Sequence, residues 1–354
     1  MDTLTHGLLG ALLGRVTAPR KVEQNAHNLP AGRRMLVGFL AAAFPDIDFV
    51  SSYLSPLSYI YHHRGITHSL ILLPMWAALL ALMFSLLWRG QPRWRAYFGI
   101  CAVAIGSHIL TDWITSFGTM VFAPFSDARY AIGTTFIIDL WFTGIILLGL
   151  LGSLVWRQSR RPAAVGLSAL AAYVGFQWLL QQHAIDFGEA YARSNAISPV
   201  HVAAVPRPVS PFNWTVVVRH DDVYRYAHIN LIRKRVLPEA TAATGFIARL
   251  NAPYRPLGDA VWRRATLNGS DTASSGLAHE AYAQPAFRFF RWFAAYPALL
   301  RIDIGNPERC VWFRDLRFET PGRDGTPFIY GMCRERDRPW QPFQLLGEQR
   351  KAVY

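Results

Sequence analysis

Twenty-three consecutive residues, Ile66 to Trp88, contain no Asp, Glu, Lys or Arg. Residues 163–180 are equally free of charge, and 136–156 carry only Asp139. Each run meets the requirement of roughly 20 apolar residues for crossing a bilayer. Shorter apolar stretches at 4–14, 35–44 and 96–111 read as further helices. The expectation is a mainly α membrane domain of about six helices, near 4–16, 34–50, 66–88, 96–114, 136–156 and 163–182. Met1-Asp2-Thr3 offers no basic leader, so a cleaved secretory signal is not expected.

Charge gives this bundle a direction. One set of loops holds Arg15, Arg20, Lys21, Arg33, Arg34, Arg89, Arg93, Arg95, Arg157, Arg160 and Arg161, whereas the opposite set holds Arg64 and Arg129. Eleven basic residues against two predict that the first set is cytoplasmic and both termini external, in a multi-pass protein of a bacterial inner membrane. Of the seven acids before residue 183, only Glu23 falls on the basic side. Asp2, Asp46, Asp48, Asp112, Asp127 and Asp139 map to the outer level, with His6, His62, His63, His68 and His108. Ionisable groups at membrane depth are costly unless they pair or serve a function.

Several spacings in this layer suit metal chemistry. His108 and Asp112, at i and i+4, project from one helix face and can share an ion, or simply hydrogen-bond at a helix end. Phe44-Pro45-Asp46-Ile47-Asp48 presents two carboxylates for a hard cation, or a polar helix terminator. His62-His63-Arg64-Gly65-Ile66-Thr67-His68-Ser69 supplies three imidazoles, a guanidinium suited to phosphate, and two hydroxyls. His62 reads as a water-facing cap, His63 and His68 as functional. Asp2 and His6 repeat the i, i+4 pairing. Asp139 interrupts an apolar run and is either a ligand or a structural partner of Arg64 or Arg129. Thr115-Ser116-Phe117-Gly118-Thr119 reads as a structural turn.

In this order, Met-Asp-x-x-Thr-His, Phe-Pro-Asp-x-Asp, His-Arg-Gly-x-Thr-His-Ser, His-x-x-x-Asp with Thr-Ser-Phe-Gly-Thr, and Ile138-Asp139 resemble the YdjM-type family of bacterial membrane proteins classed as metal-dependent hydrolases. The resemblance spans residues 1–139 and implies a divalent-metal hydrolase. A fainter similarity links the pattern to zinc-dependent phospholipase C and related nucleases. Those enzymes carry a later His-x-x-x-Glu unit; here no His follows Asp112 until His183, and Asp139 is the substitute at hand.

The expected metal shell is therefore drawn from His6, Asp46, Asp48, His63, His68, His108, Asp112 and Asp139. Zinc is the first choice for mixed imidazole and carboxylate donors, with manganese or iron as alternatives. Asp46 or Asp48 would act as general base and Arg64 would stabilise developing negative charge. The expected substrate is amphipathic or phosphate-bearing. The competing readings are a non-catalytic protein with a structural or transport metal, and a scaffold that recruits a partner.

Beyond residue 182 the chain changes character. Residues 183–211, polar and rich in Pro, are expected to be a linker, and 212–354 a soluble antiparallel β or α+β domain. Trp214–Arg219 and Val223–Leu231 read as one hairpin, Val311–Phe318 and Phe328–Met332 as another, with a helix near 286–299. This part holds 23 basic and 16 acidic residues, a charge that favours anionic lipid headgroups; no nucleic-acid fingerprint is present and no protein partner can be named. Cys310 and Cys333 flank the second hairpin and are expected to pair in an oxidising periplasm.

Overall fold

The computed structural model describes residues 1–19, 29–88, 94–198, 200–241, 244–269, 272–305, 307–336 and 338–354. Arg20, Lys21, Glu23, Arg89 and Arg93, used in the charge argument, lie outside the described residues. The chain divides into two compact units. The first is Met1–Ser51 with His62–Trp178, and the second is Ser52–Tyr61 with Leu179–Tyr354.

The first unit is helical. It comprises α1 (Thr3–Val16), α2 (Ala31–Ala43), a 3-10 segment at Phe44–Tyr53, a 3-10 turn at Ile66–His68, α4 (Leu73–Leu87), α5 (Arg95–Trp113) and α6 (Leu140–Val155). The short α3 (Pro56–His62) falls almost wholly in the second unit, and α7 (Arg161–Ser194) runs on into it. Two described helices, Ala31–Tyr53 and Arg161–Ser194, are long and apolar enough to cross a membrane. A third span is formed if Pro56–His68 and Leu73–Leu87, bent by 79°, count together. The expected set of six even spans is thus corrected. Pro45 has no N–H to donate to Ala41, so α2 gives way to a 3-10 run instead of continuing to residue 50. The charge-free run from Ile66 is likewise broken. Its regular helix starts only at Leu73, with Pro74 in the first turn where a missing donor is harmless.

Two apolar clusters hold these helices together. Val37, Ala41, Ala81, Tyr97, Ile100 and Ile105 join α2, α4 and α5, while Leu9, Leu12, Phe142, Ile146 and Leu170 join α1, α6 and α7. The closest approach is between α1 and α2, where a Cβ built on Gly10 or on Gly38 would overlap the carbonyl oxygen of the other. Small residues that let backbones touch are a common device where lipid offers no hydrophobic drive for association.

The second unit contains two sheets. β1 (His201–Pro206), β2 (Asn213–His220) and β3 (Val223–Asn230) form an antiparallel meander. β3 is joined in parallel by β4 (Arg255–Pro256) and antiparallel by β5 (Arg263–Thr266). The other sheet is an antiparallel meander of β6 (Pro297–Ile304), β7 (Glu308–Asp315), β8 (Ile329–Glu335), β9 (Gln341–Leu346) and β10 (Gln349–Ala352). Both hairpins read from the sequence are present. The helix expected near 286–299 is shorter, Arg288–Phe293, because residues from Pro297 enter β6. The linker expected at 183–211 is also corrected. It contains the end of α7 and all of β1, whose Ala204 and Val205 are buried beside Trp214 and Val216. Cys310 and Cys333 stand opposite one another in register and form a disulfide, with Cα atoms 4.1 Å apart. Ser52–Tyr61 belongs here through aromatic contacts, Tyr59 stacking on Phe328 and Tyr61 meeting Trp292.

Candidate metal centre

Four residues of the first unit bring one donor atom each to a common point: Asp46, His68, His108 and Asp112, all within 4.8 Å of one another. His108 and Asp112 share one face of α5 across a single turn. Asp46 comes from the 3-10 run that Pro45 imposes, and His68 closes the turn at Ile66–His68. His68 Nε2 lies 2.9 Å from His108 Nε2, 3.1 Å from Asp112 Oδ2 and 3.8 Å from Asp46 Oδ1. His108 Nε2 lies 3.5 Å from Asp112 Oδ2 and 3.6 Å from Asp46 Oδ1. Donors at the corners of a tetrahedron with bonds of about 2.0–2.1 Å stand roughly 3.3 Å apart, and the observed separations bracket that value.

The outer nitrogens of both rings are spoken for. His108 Nδ1 donates to the carbonyl of Ala42 at 2.6 Å. His68 Nδ1 faces Asp48 Oδ2 at 3.2 Å and the Thr67 hydroxyl at 3.0 Å. With Nδ1 as donor in each ring, each Nε2 turns a lone pair inward, the tautomer a metal requires. Asp112 is divided in the same way. Its Oδ1 takes the Arg64 guanidinium at 2.9 Å, His6 Nε2 at 3.2 Å and the Met1 amino group. Its Oδ2 is buried without a hydrogen-bond donor. With both rings in that tautomer, two lone pairs and a buried carboxylate oxygen without a donor face one another, an arrangement that a cation would satisfy.

The remaining candidates surround this group. Asp48 is not an inner donor: Oδ1 faces His63 Nδ1 at 2.7 Å, and Oδ2 accepts from the Arg64 N–H and the Thr67 hydroxyl. It stands where it can orient His68 through Nδ1. His63 is occupied by that contact with Asp48. His6 stacks on His108 with ring centroids 3.6 Å apart, its Nδ1 near the Thr111 hydroxyl. Arg64, fully buried, also donates to the Asp112 carbonyl and to Thr115, so it holds the Asp112 segment and does not reach into open space. Asp139 stays apart from the four. It caps α6, accepting from the N–H groups of Trp141 and Phe142, the Tyr173 hydroxyl and the Gln177 amide, which satisfies its oxygens. Asp2 likewise caps α1 through Thr5. His62 is exposed.

Three contributors escaped the sequence reading. Thr3 donates to Asp46 Oδ2 at 2.6 Å, Thr111 supports His6, and the Ala42 carbonyl fixes His108. Thr3 and Thr111 lie within the motifs, but a threonine hydroxyl is too common a hydrogen-bonding group to stand out, and a backbone carbonyl leaves no sequence signal. A second cluster of Glu308, Cys310 and Cys333 lies in the second unit, but both sulfurs are joined to each other and offer no thiolate.

Asp48 provides a direct check on the tautomer argument. Asp48→Ala should weaken metal binding about 10–100-fold without abolishing it, as loss of an orienting partner does. Competition with a chromophoric chelator measures this. Unchanged affinity would show that His68 does not depend on Asp48.

Comparison with known proteins agrees with the helical unit. The family described as YdjM inner membrane protein matches residues 1–184. The uncharacterized protein YfhP of Bacillus subtilis (strain 168) is 26% identical over 176 residues, covering 50% of this chain. The match takes in about half of that relative's length, 52%. No solved structure matches.

Proposed function

This chain belongs to the YdjM family of inner-membrane proteins, and we propose that it is a metal-dependent hydrolase acting on an amphipathic or phosphate-ester substrate at the outer membrane interface. The observation that carries the reading is the convergence of His68 Nε2, His108 Nε2, Asp112 Oδ2 and Asp46 Oδ1, with the outer atoms of both rings and of Asp112 already bonded. Two imidazoles with two carboxylates suit zinc first, with manganese or iron as alternatives. Such an ion, when bound, supplies Lewis acidity and brings the pKa of a bound water near neutrality.

The chain's own groups divide the remaining work. Asp46 is the only one of the four with an accessible side chain, 11% exposed against 0% for the others. It is where water and substrate meet the cluster, and it is the group positioned to accept a proton. Its Oδ2 is held by Thr3, which keeps Oδ1 turned toward the two rings. Arg64 is a positioning residue that neutralises the outer oxygen of Asp112. The outer location rests on the excess of basic residues in the opposite loops, and the disulfide of the second unit fits an oxidising compartment.

A structural metal is the second reading, favoured because four protein donors can close a tetrahedron and leave no open position. One experiment separates the two. Full-length protein purified in detergent is analysed for metals, then reconstituted and assayed on soluble and lipid phosphate esters before and after chelation. Stoichiometric metal with turnover lost on chelation and restored by zinc is the expected result. Bound metal without turnover on any ester favours the structural reading, and protein without metal overturns both.

A further inference from the structure

A groove of about 570 Å³ runs along the first unit and ends on the cluster. One wall comes from α2 and the 3-10 run after it, through Leu40, Phe44 and Ile47; the other is the face of α4 bearing Leu80, Met83 and Leu87. These positions recur every three or four residues, so each wall is a single stripe of side chains, and Leu80 to Leu87 rises about 10 Å. Thr3 and Asp46 are the polar residues of the lining. Leu40, Ile47, Met83 and Leu87 are themselves exposed. The groove is therefore open along its side, between the candidate span Ala31–Tyr53 and α4, which counts as a span only together with Pro56–His68, and at its polar end lies Asp46, the accessible member of the cluster.

That combination selects a ligand class. A wall of Leu, Ile, Met and Phe side chains without hydrogen-bonding groups offers nothing to the hydroxyls of a sugar, but it accommodates a hydrocarbon chain. Because the surrounding bilayer is as apolar as the groove, seating a chain there adds little affinity over the membrane. Its effect is to orient, since a chain held along α4 brings the attached headgroup to Asp46. We propose that the groove receives one acyl chain of a bilayer phospholipid, and that the phosphate ester of this lipid is the substrate. The assignment rests on the hydrolase reading above. In the reaction, a water oxygen bonds to phosphorus as the ester P–O bond breaks, and the proton lost by the water leaves on the departing alkoxide.

The test uses full-length protein in phosphatidylcholine vesicles containing a trace of phosphatidic acid with a diazirine midway along one acyl chain. After illumination, labelling is compared between peptides of α2 and α4 and the peptide bearing Leu148 of α6, an exposed residue outside the groove. Metal content is measured on the same samples. Labelling of the groove peptides several-fold above the α6 peptide, lost in Met83→Trp and in Leu40→Trp while metal is retained, is the expected result. The retained metal shows that these variants are folded. Labelling no greater than at α6, or unchanged by both bulky substitutions, overturns the groove while leaving the metal centre intact. Wild-type protein without metal overturns the hydrolase reading and the substrate assignment with it.

Discussion

His108→Ala should strip the metal from the purified protein while leaving it inserted in the membrane. The imidazole is wholly buried, fixed from behind by the Ala42 carbonyl and turned by its Nε2 toward Asp46, His68 and Asp112. His108 brings a donor atom of its own to the cluster, so the loss in affinity should exceed the roughly 10–100-fold of a supporting residue. The apolar spans are untouched, which preserves insertion. Asp112→Asn should also lower bound metal, but with a different signature. It leaves the buried Arg64 guanidinium without its carboxylate, and stranding one partner of a buried ion pair costs about 3–5 kcal/mol. The Asn variant should therefore lose thermal stability in detergent as well as metal. Elemental analysis beside a melting curve distinguishes the two substitutions. Wild-type metal content in both would remove His108 and Asp112 from the shell.

A second large effect is expected at two glycines that bring no donor atom to the cluster. Gly10→Ala and Gly38→Ala each place a methyl group against a backbone carbonyl, which cannot swing aside as a flexible side chain can. The helices α1 and α2 must separate, and overpacking of this kind typically costs about 1–3 kcal/mol. The consequence reaches the metal centre because α1 carries Thr3 and His6, while α2 leads directly into Asp46 and supplies the Ala42 carbonyl. Both variants should melt earlier and bind metal more weakly. Gly99→Ala is the control, since nothing lies within 4 Å of its added Cβ, and within α5 it should be neutral or stabilising by up to about 1 kcal/mol. Melting of Gly10→Ala at the temperature of Gly99→Ala would show that the close crossing does not limit stability.

The sequence determined the elements whose signal is local. Charge-free runs announced the helical unit because burial in lipid forbids ionised groups over a whole span. The i, i+4 spacing of His108 and Asp112 guaranteed a shared helix face, and alternating strand residues around 220–222 and 321–325 gave both hairpins. The same local logic failed at Pro45 and Pro74, where a missing N–H ended one helix and marked the first turn of another inside apolar stretches. It also missed that Ser52–Tyr61 pairs its aromatics with Trp292 and Phe328, residues more than two hundred positions away.

Which of the eight candidate ligands face one another was set by packing between distant segments. Asp46 and Asp48 are one residue apart and chemically identical. Yet one points at the two imidazoles, and the other is consumed by His63, Thr67 and the Arg64 N–H. Asp139 looked like a ligand because it broke an apolar run, but Tyr173 and Gln177 from α7 and the first N–H groups of α6 satisfy it. An imidazole can bind a metal only through a nitrogen whose lone pair is free, and a carboxylate only through an oxygen lone pair that no donor has taken. Which atoms remain free is set by carbonyls, hydroxyls and guanidinium groups brought in from other helices, and sequence spacing carries no record of them.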